Sequence, residues 1–287
     1  MNARLLFAAV IVSALTISPT GYARDRQSLV KNIPADTDVK TVSVEANLDV
    51  ARLSLGGHAG GDMFTATVDY DADRTKVDVE YEKAGTSGDL YLSSEKIKRS
   101  LELDTDDNRW DVSLSRDYVW NLDLDLSVTD TRIDLSGLPV ENLELDMGAS
   151  ECRVTFDEPN PRKVRRLVVK AGAADLDMIG LGHADFRDFY FDGGAGDVAL
   201  NFAGLKEGLH SARIHVGVGS VRIELPAGIP VRIESDDGWL NEISFPDDDF
   251  EEIDEGVYET PGFDKAKSGL ELEIDVGIGE ATVEWID

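Results

Sequence analysis

Acidic residues that recur at regular intervals are the part of this sequence with the clearest capacity for chemistry. One set of positions reads Asp125, Asp146, Lys170, Asp192 and His215, and a second set reads Asp130, Glu151, Asp175 and Asp197. If the segments that carry them stack as β-strands, equivalent positions lie about 4.8 Å apart. The carboxylates of one column would then repel one another and attract cations.

Nearby arginines offer a way to offset this repulsion. They follow the second set by two or three positions, at Arg132, Arg153 and Arg222. We therefore expect a solvated face with modest salt bridges, which contribute little to stability individually. Carboxylate oxygens are also the ligands that Ca²⁺ and Mg²⁺ prefer, so weak divalent-cation binding is left open. No residue is assigned as a metal ligand.

The other residues with reactive side chains show no catalytic or metal-binding pattern. The histidines are His58, His183, His210 and His215, and none has a cysteine or second histidine at metal-ligand spacing. Cys152 is the sole cysteine, so no intrachain disulfide can form, and we interpret it as a small buried hydrophobe. Neither a Gly-x-Ser-x-Gly elbow nor a phosphate-binding glycine loop occurs. The sequence thus predicts no catalytic residue, no cofactor and no enzymatic activity.

Glycoside hydrolysis is the alternative chemistry, because it uses paired carboxylates. It would require an open groove lined by aromatic side chains. Most aromatic residues instead fall at predicted inward positions: Phe156, Phe189, Phe191, Phe202 and Trp285. We expect Trp110, Trp120 and Trp239 to pack in the core or a cap. An enzyme or lectin that acts on a surface polysaccharide is the second hypothesis.

The elements that position these residues repeat between Trp120 and Leu225. Each repeat has apolar residues at four alternate positions, a slip of three, and three more alternate apolar positions. In the first repeat these are Leu122, Leu124, Leu126 and Val128, then Thr131, Ile133 and Leu135. The repeats begin at Leu122, Leu143, Leu167, Phe189 and Ala212. This spacing, with strand-type alternation inside it, predicts an all-β, single-stranded β-solenoid with coils of about 22 residues.

Small residues precede each slip of three, at Ser127, Gly148, Gly172, Gly194 and Gly217. We expect them to allow a corner that a side chain would obstruct. The same pattern recurs at Val42–Leu55 and at Leu272–Trp285. Between the first of these and the main stack, alternating runs in residues 57–118 predict antiparallel strands beside or capping the start of the stack.

Four regions follow from these patterns. Residues 1–23 combine Arg4, an apolar run and a small-x-small site, which predicts a signal peptide. Residues 24–40 are a linker or cap, and 41–118 hold the first coil and the antiparallel strands. Residues 119–287 form the β-solenoid domain, with a degenerate coil and an acidic loop at about 227–269.

Charge limits the partners. The chain has 57 acidic and 28 basic residues and a formal net charge of −29, so it should avoid nucleic acid and bare anionic surfaces. Outside the predicted signal peptide no long apolar run occurs, which predicts no direct membrane span. We expect an exported protein that is periplasmic or extracellular, with association at the cell surface left open.

Several segments resemble the bacterial toast-rack family of envelope β-solenoids. They are Leu143–Ser150, Phe191–Asp197, His215–Val221 and the tail from Gly238 to Glu280. This family is related to the C-terminal domains of cell-wall-active antibiotic response proteins and to adhesin-like solenoids. The resemblance covers roughly residues 119–287. It implies a β-solenoid at the cell envelope, a link to envelope stress, and no catalytic residues to carry over.

Taken together, these patterns predict an exported, non-enzymatic module that serves in binding, adhesion or scaffolding. Its partner would be an envelope protein or glycan. Self-association through the edges of the solenoid is left open. An export signal stands where the response proteins have membrane-spanning helices, so a direct role in transmembrane signalling is not implied.

Overall fold

The computed structural model describes residues 25–97, 104–235, 241–246 and 249–286. The predicted signal peptide lies outside these residues, as do Leu101, Leu103, Trp239 and Leu240. Across the described ranges, no helix is long and apolar enough to cross a membrane.

The described chain is almost entirely β-structure. Its strands in the N-terminal part are β1 (Arg26–Ile33), β2 (Thr41–His58), β3 (Phe64–Asp71), β4 (Thr75–Ala84), β5 (Ser87–Lys96) and β6 (Asn108–Ser115). Those of the central part are β7 (Val119–Asp134), β8 (Val140–Thr155), β9 (Arg166–Ile179), β10 (Asp188–Asn201) and β11 (Leu209–Pro226). The last are β12 (Val231–Ser235), β13 (Asn241–Ser244), β14 (Glu251–Asp254), β15 (Val257–Glu259) and β16 (Gly269–Ile286). Short 3₁₀ turns lie at Thr105–Asp107, Leu181–Ala184 and Phe263–Lys265.

The long strands form one parallel stack in the order β2-β7-β8-β9-β10-β11-β16. Within it, Leu122 lies beside Leu143, Leu143 beside Leu167, and Phe189 beside Ala212. These partners are the residues at which the sequence repeats begin. The predicted all-β solenoid is therefore confirmed, and one repeat corresponds to one coil.

Each long strand bends near its middle, which divides it into a first arm before the bend and a second arm after it. In β7 the first arm is 119–127 and the second is 129–134. Alternate side chains of both arms face the same interior, and loop residues such as Phe156, Phe186 and Phe202 fill the remaining side of the core. Burying each large apolar side chain contributes about 1.5–3 kcal/mol to the stability of the fold. Because burial is complete only when neighbouring coils are stacked, this stability depends on the stack rather than on any single coil.

In β7 to β11 and in β16 the corner lies two residues earlier than the sequence pattern predicted, whereas β2 follows the pattern, with Leu48 and Ala51 both buried. Leu126 is the last inward residue of the first arm in β7, and the next inward residue is Thr129, which is 4% exposed. In β8, β9, β10, β11 and β16 the fourth apolar residue of the repeat faces solvent instead of the core, and in β7 Val128 is half-buried. Val218 and Ile278 are each 49% exposed, and Ala149, Ala173 and Ala195 are exposed as well.

The reason for this difference is the close approach of neighbouring coils at the corner. The inward corner position is occupied by small residues, namely Ala51, Thr129, Ser150, Ala174, Gly196, Gly219 and Gly279. At the three glycines a Cβ atom would lie far inside van der Waals contact of a carbonyl oxygen of the preceding coil. Apolar residues therefore lie on the outer side of the bend, although the alternation in the sequence predicted that they would be buried.

The predicted glycine column is explained by close stacking of the coils. A Cβ atom on Gly172 would lie 2.9 Å from the Gly148 carbonyl oxygen, and one on Gly217 would lie 2.6 Å from that of Gly194. Real Cβ atoms essentially never approach backbone so closely. Glycine at this position thus allows each coil to rest directly on the backbone of the coil before it.

Both ends of the stack carry a coil that is split into two strands. At the N-terminal end, β5 pairs with the first arm of β2 and β6 with its second arm, and both run parallel to β2. The antiparallel strands predicted within 57–118 are present, because β3 pairs with β6 and β4 pairs with β5 in an antiparallel manner. The sequence did not reveal that β5 and β6 also run parallel to β2. At the other end, β12 and β13 pair in parallel with the two arms of β16.

Residues 24–40, predicted as a linker or cap, include β1. This strand pairs in an antiparallel manner with β3 and is one of the two outermost described strands at the N-terminal end. The proposed boundary between 118 and 119 lies inside the continuous sheet, because β2 pairs with β7 over both arms.

Candidate binding surface

The first predicted acidic column is a real row of neighbours on the outer face of the first arm. Asp125 pairs with Asp146, Asp146 with Lys170, and Asp192 with His215. At the C-terminal end of this row, His215 Nδ1 lies 2.8 Å from the Asp275 carboxylate. The row is solvated, as expected, and Lys170 interrupts its negative charge.

The second column lies at the outer side of the corner. Asp130, Glu151 and Asp175 are register neighbours, and the Asp197 amide donates to Asp175 Oδ1 at 3.2 Å. The hydroxyl of Ser220 donates to Asp197 Oδ1 at 2.6 Å. Backbone and hydroxyl donors therefore offset part of the repulsion between these carboxylates.

Arg132 and Arg153 pair with acids, but not always with those that the sequence suggested. Arg132 lies 3.5 Å from Asp130, as expected. Arg153 instead makes its ion pair with Asp177 of the next coil, at 2.8 Å. Asp130 also accepts from Arg52 of the preceding coil at 3.0 Å. The pairs of Arg153 with Asp177 and of Arg52 with Asp130 thus cross between coils and tie neighbouring strands together.

The corner column and the arginines line a shallow groove of about 370 Å³. It extends over the second arms of β7, β8, β9, β10 and β11. Its charged lining residues are Asp130, Glu151, Asp175, Asp177, Asp197, Arg132, Arg153 and Arg222. None of the described residues that line it is aromatic. We call this the corner groove.

A second depression, of about 280 Å³, lies on the first arms near the N-terminal end. Glu45, Asp123 and Glu144 stack there in adjacent coils. Arg166 counters the charge through an ion pair with Glu144 at 3.0 Å. Partial burial is the largest cause that raises the pKa of Asp123 above its ordinary value, and the negative charges of Glu144 and Glu45 raise it further.

Asp123→Asn is expected to stabilise the protein at neutral pH. The raised pKa means that the ionised Asp123 carboxylate is less favourable in the folded chain than in the unfolded one. This penalty is complete above the raised pKa and disappears below the ordinary value of about 3.9. The side chain is exposed, so the melting temperature at pH 7 should rise only by something on the order of 1 °C.

The measurement is thermal unfolding of both proteins at several pH values. The difference between variant and parent should shrink as the pH falls towards 4. Asp192→Asn is the matched control, since Asp192 lies between Lys170 and His215 in the stack. A rise of equal size in that control would show that the neighbouring carboxylates are not the cause.

Cys152 is buried as predicted, and burial raises its pKa to about 12, which keeps the thiol protonated. Over the described residues, no group of three or more His, Cys, Asp or Glu is placed to hold a metal ion.

His210 has a structural role that the sequence did not reveal. It is 4% exposed, with Nδ1 at 2.6 Å from the Phe186 carbonyl and Nε2 at 3.0 Å from the Lys206 carbonyl. Its ring packs edge-on against Phe186, 5.4 Å between centroids. A histidine between two loop carbonyls positions the turn between β10 and β11. Only the fold brings these atoms together.

The tryptophans that the structure describes are mostly internal. Trp110 and Trp120 are fully buried, and each indole N–H donates within the protein, to Asn108 Oδ1 and to the Ser115 carbonyl. Trp285 is only partly buried at the C-terminal end, where it stacks on Phe250 and donates to Asp249. It therefore closes the end of the stack rather than lying within it.

Comparison with known proteins identifies the family. Residues 22–179, which are more than half of the chain, match the family described as the N-terminal domain of toast_rack, DUF2154. The chain belongs to the toast-rack family. The resemblance in the sequence is thus confirmed, although it was placed on 119–287 and the match begins near the N-terminus. Leu143–Ser150, which contains Gly148 of the glycine column, lies both in the matched residues 22–179 and in the range 119–287 of the resemblance.

Two solved structures are similar to this toast-rack chain. One is a candidate cell adhesion protein from Clostridium sporogenes, 17% identical, with a TM-score of 0.47 over 91% of this chain and 100% of that one. The other is a candidate adhesin from Bacteroides fragilis, 8% identical, with a TM-score of 0.36 over 91% and 98%. A search among curated proteins finds no match.

Proposed function

We propose that this toast-rack protein is an exported, non-enzymatic module of the cell envelope that binds a protein partner through the corner groove. The observation that carries this proposal is the groove itself. It brings five carboxylates and three arginines from successive coils to one rigid surface. Such a surface fits a partner with its own mixture of charges.

The rigidity of the scaffold supports a binding role. The groove residues stand on strands whose opposite faces are fully buried, for example by Val154, Met178 and Leu200. Their backbones are held by the neighbouring coils on both sides. A binding surface built on rigid elements loses little conformational freedom when a partner docks.

A protein partner is favoured over a glycan by the lining. Sugar rings commonly pack on exposed aromatic faces, and the described residues that line the corner groove include no aromatic side chain. The same observation weakens the alternative of an enzyme or lectin that acts on a surface polysaccharide. Mixed acidic and basic columns instead provide electrostatic complementarity, which gives specificity and fast association with another protein.

Export is part of the proposal. It rests on the N-terminal segment of Arg4, the following apolar run and the small-x-small site. A link to envelope stress rests only on the resemblance to the antibiotic response proteins. Both can be checked by fractionating cells and by following expression under envelope damage.

The direct test is affinity capture from native envelope, followed by measurement of the captured protein's affinity. Replacing Arg132, Arg153 and Arg222 together with glutamine should weaken binding at least about tenfold, equivalent to about 1.4 kcal/mol. Binding should also weaken as salt increases, because exposed charges are screened. Arg187→Gln is the control, since that side chain is 80% exposed and lies outside the groove.

Equal binding by the triple variant and the parent would reject the corner groove as the site. Binding of purified envelope glycan with measurable turnover would favour the polysaccharide-active alternative instead.

A further inference from the structure

The open edges of the sheet differ in how well they are protected. In the described part of the chain, the outermost strands are β1 and β4 at the N-terminal end and β13 and β14 at the C-terminal end. β13 and β14 have only four residues each, and three of the four in β14 are acidic. β4 carries an ion pair between Lys83 and Asp36 at 2.6 Å. Short strands and charges of this kind discourage pairing with another chain.

β1 lacks these protections. It has eight residues, contains no proline and no carboxylate, and exposes Val30 by 50%. Its only charges are those of Arg26 and Lys31. In a chain with twice as many acidic as basic residues, this is the edge with the least repulsion towards a second copy.

The free backbone groups of β1 can be assigned from its pairing with β3. The Ala72 amide donates to the Asp25 carbonyl at 2.9 Å. In an antiparallel ladder, hydrogen-bonded and non-hydrogen-bonded residue pairs alternate along the strand. Asp25 and every second residue after it therefore form their backbone hydrogen bonds with β3. The N–H and C=O groups that point to the open side are therefore those of Arg26, Ser28, Val30 and Asn32.

The sequence of β1 is complementary to itself in the antiparallel direction. If a two-fold axis perpendicular to the sheet relates the two copies, their core-facing surfaces lie on the same side of the combined sheet. With Leu29 on that axis, Ser28 lies opposite Val30 of the second copy and Arg26 lies opposite Asn32. No cation faces a cation, and about eight backbone hydrogen bonds can form.

We propose that two copies of this protein associate through antiparallel pairing of β1, with Leu29 on the two-fold axis. The second arms of both solenoids then form one continuous sheet, and the corner grooves lie on opposite sides of the dimer axis. An isologous contact closes after two copies and does not continue into a fibre. This inference is independent of the proposed function.

The first test uses charge exchange at exposed positions. Ser28→Lys with Val30→Lys places lysines opposite lysines, and Ser28→Glu with Val30→Glu places glutamates opposite glutamates. Sedimentation velocity over a micromolar concentration series should show a dimer for the parent and a monomer for each double variant. An equimolar mixture of the two variants should restore the dimer. Both side chains are exposed, so the melting temperature of each monomer should remain near that of the parent.

The second test determines the register. Leu29→Cys in a Cys152→Ala background should give a disulfide-linked dimer under mild oxidation, because a non-bonded antiparallel pair has Cα atoms about 4.5 Å apart. Ile253→Cys on β14, in the same background, is the matched control and should remain monomeric. A monomeric parent, dimers in either charged variant alone, or equal cross-linking in the control would overturn the proposal.

Discussion

Gly219→Ala is expected to prevent stable folding, although it adds a single methyl group. Gly219 occupies the inward corner position of β11 with φ +149°, a conformation that L side chains rarely adopt. A Cβ atom there would lie far inside van der Waals contact of the Gly196 carbonyl oxygen. Relieving that clash requires two coils to separate, which would also break the register with β16 at Gly279.

The expected loss is at least about 4 kcal/mol in the free energy of unfolding, at the severe end for a point mutation. For a chain of this size that corresponds to a fall of about 10 °C or more in melting temperature. Circular dichroism during heating measures it, and size-exclusion chromatography will show whether soluble protein is produced at all.

Gly208→Ala separates backbone strain from the clash. Gly208 also has a positive φ, +128°, but no atom lies within 4 Å of the Cβ position that an alanine would occupy. Its cost should be the conformational strain alone, about 1–3 kcal/mol. Similar losses at both positions would mean that strain, not stacking of the coils, explains why glycine occupies the corner.

The fold could be predicted because its determinants are local in the sequence. The regular period places Leu143 beside Leu122, and alternation places both in the core. The corner was misplaced because the pattern ranks residues by polarity alone. At the inside of the bend, volume decides, so Gly219 faces inward and the more hydrophobic Val218 faces solvent.

The candidate site was predictable only in part. The two acidic columns follow directly from the repeat, so Asp130 and Glu151 could be placed side by side. The pairing of Arg153 with Asp177 could not, because it depends on side-chain direction between coils. The groove also depends on the depth of the bend, which no residue pattern encodes.

Polar residues that join the loops were missed for a similar reason. Asn160 is 2% exposed, and its amide donates to the carbonyls of Val140 and Ala184 in the coils on either side, at 2.8 and 3.3 Å. A lone asparagine between Pro159 and Pro161 looks like an ordinary turn residue. Its partners belong to other coils, and the loops that bring them together have no period of their own.

Val154→Asp is expected to unfold the protein, whereas Asp146→Lys should be tolerated, although both residues belong to β8. Val154 is completely buried and lies between Ile133 and Met178 of the adjacent coils. An aspartate there must either remain charged without a partner or bind a proton, and both cost several kcal/mol. We expect a loss above about 4 kcal/mol, with little soluble, cooperatively folding protein.

Asp146 faces solvent on the first arm, 3.9 Å from Lys170 and beside Asp125. A lysine at this position loses the weak ion pair with Lys170 and can form one with Asp125. The free energy of unfolding should therefore change by less than about 0.5 kcal/mol. Urea unfolding followed by tryptophan fluorescence compares the two variants, since Trp120 is buried in the neighbouring coil. Because coils in a solenoid are stabilised by their neighbours, Val154→Asp should abolish the entire transition. A variant that retained a full-sized transition at the parent's midpoint would place Val154 outside the core and contradict the direction in which the strands face.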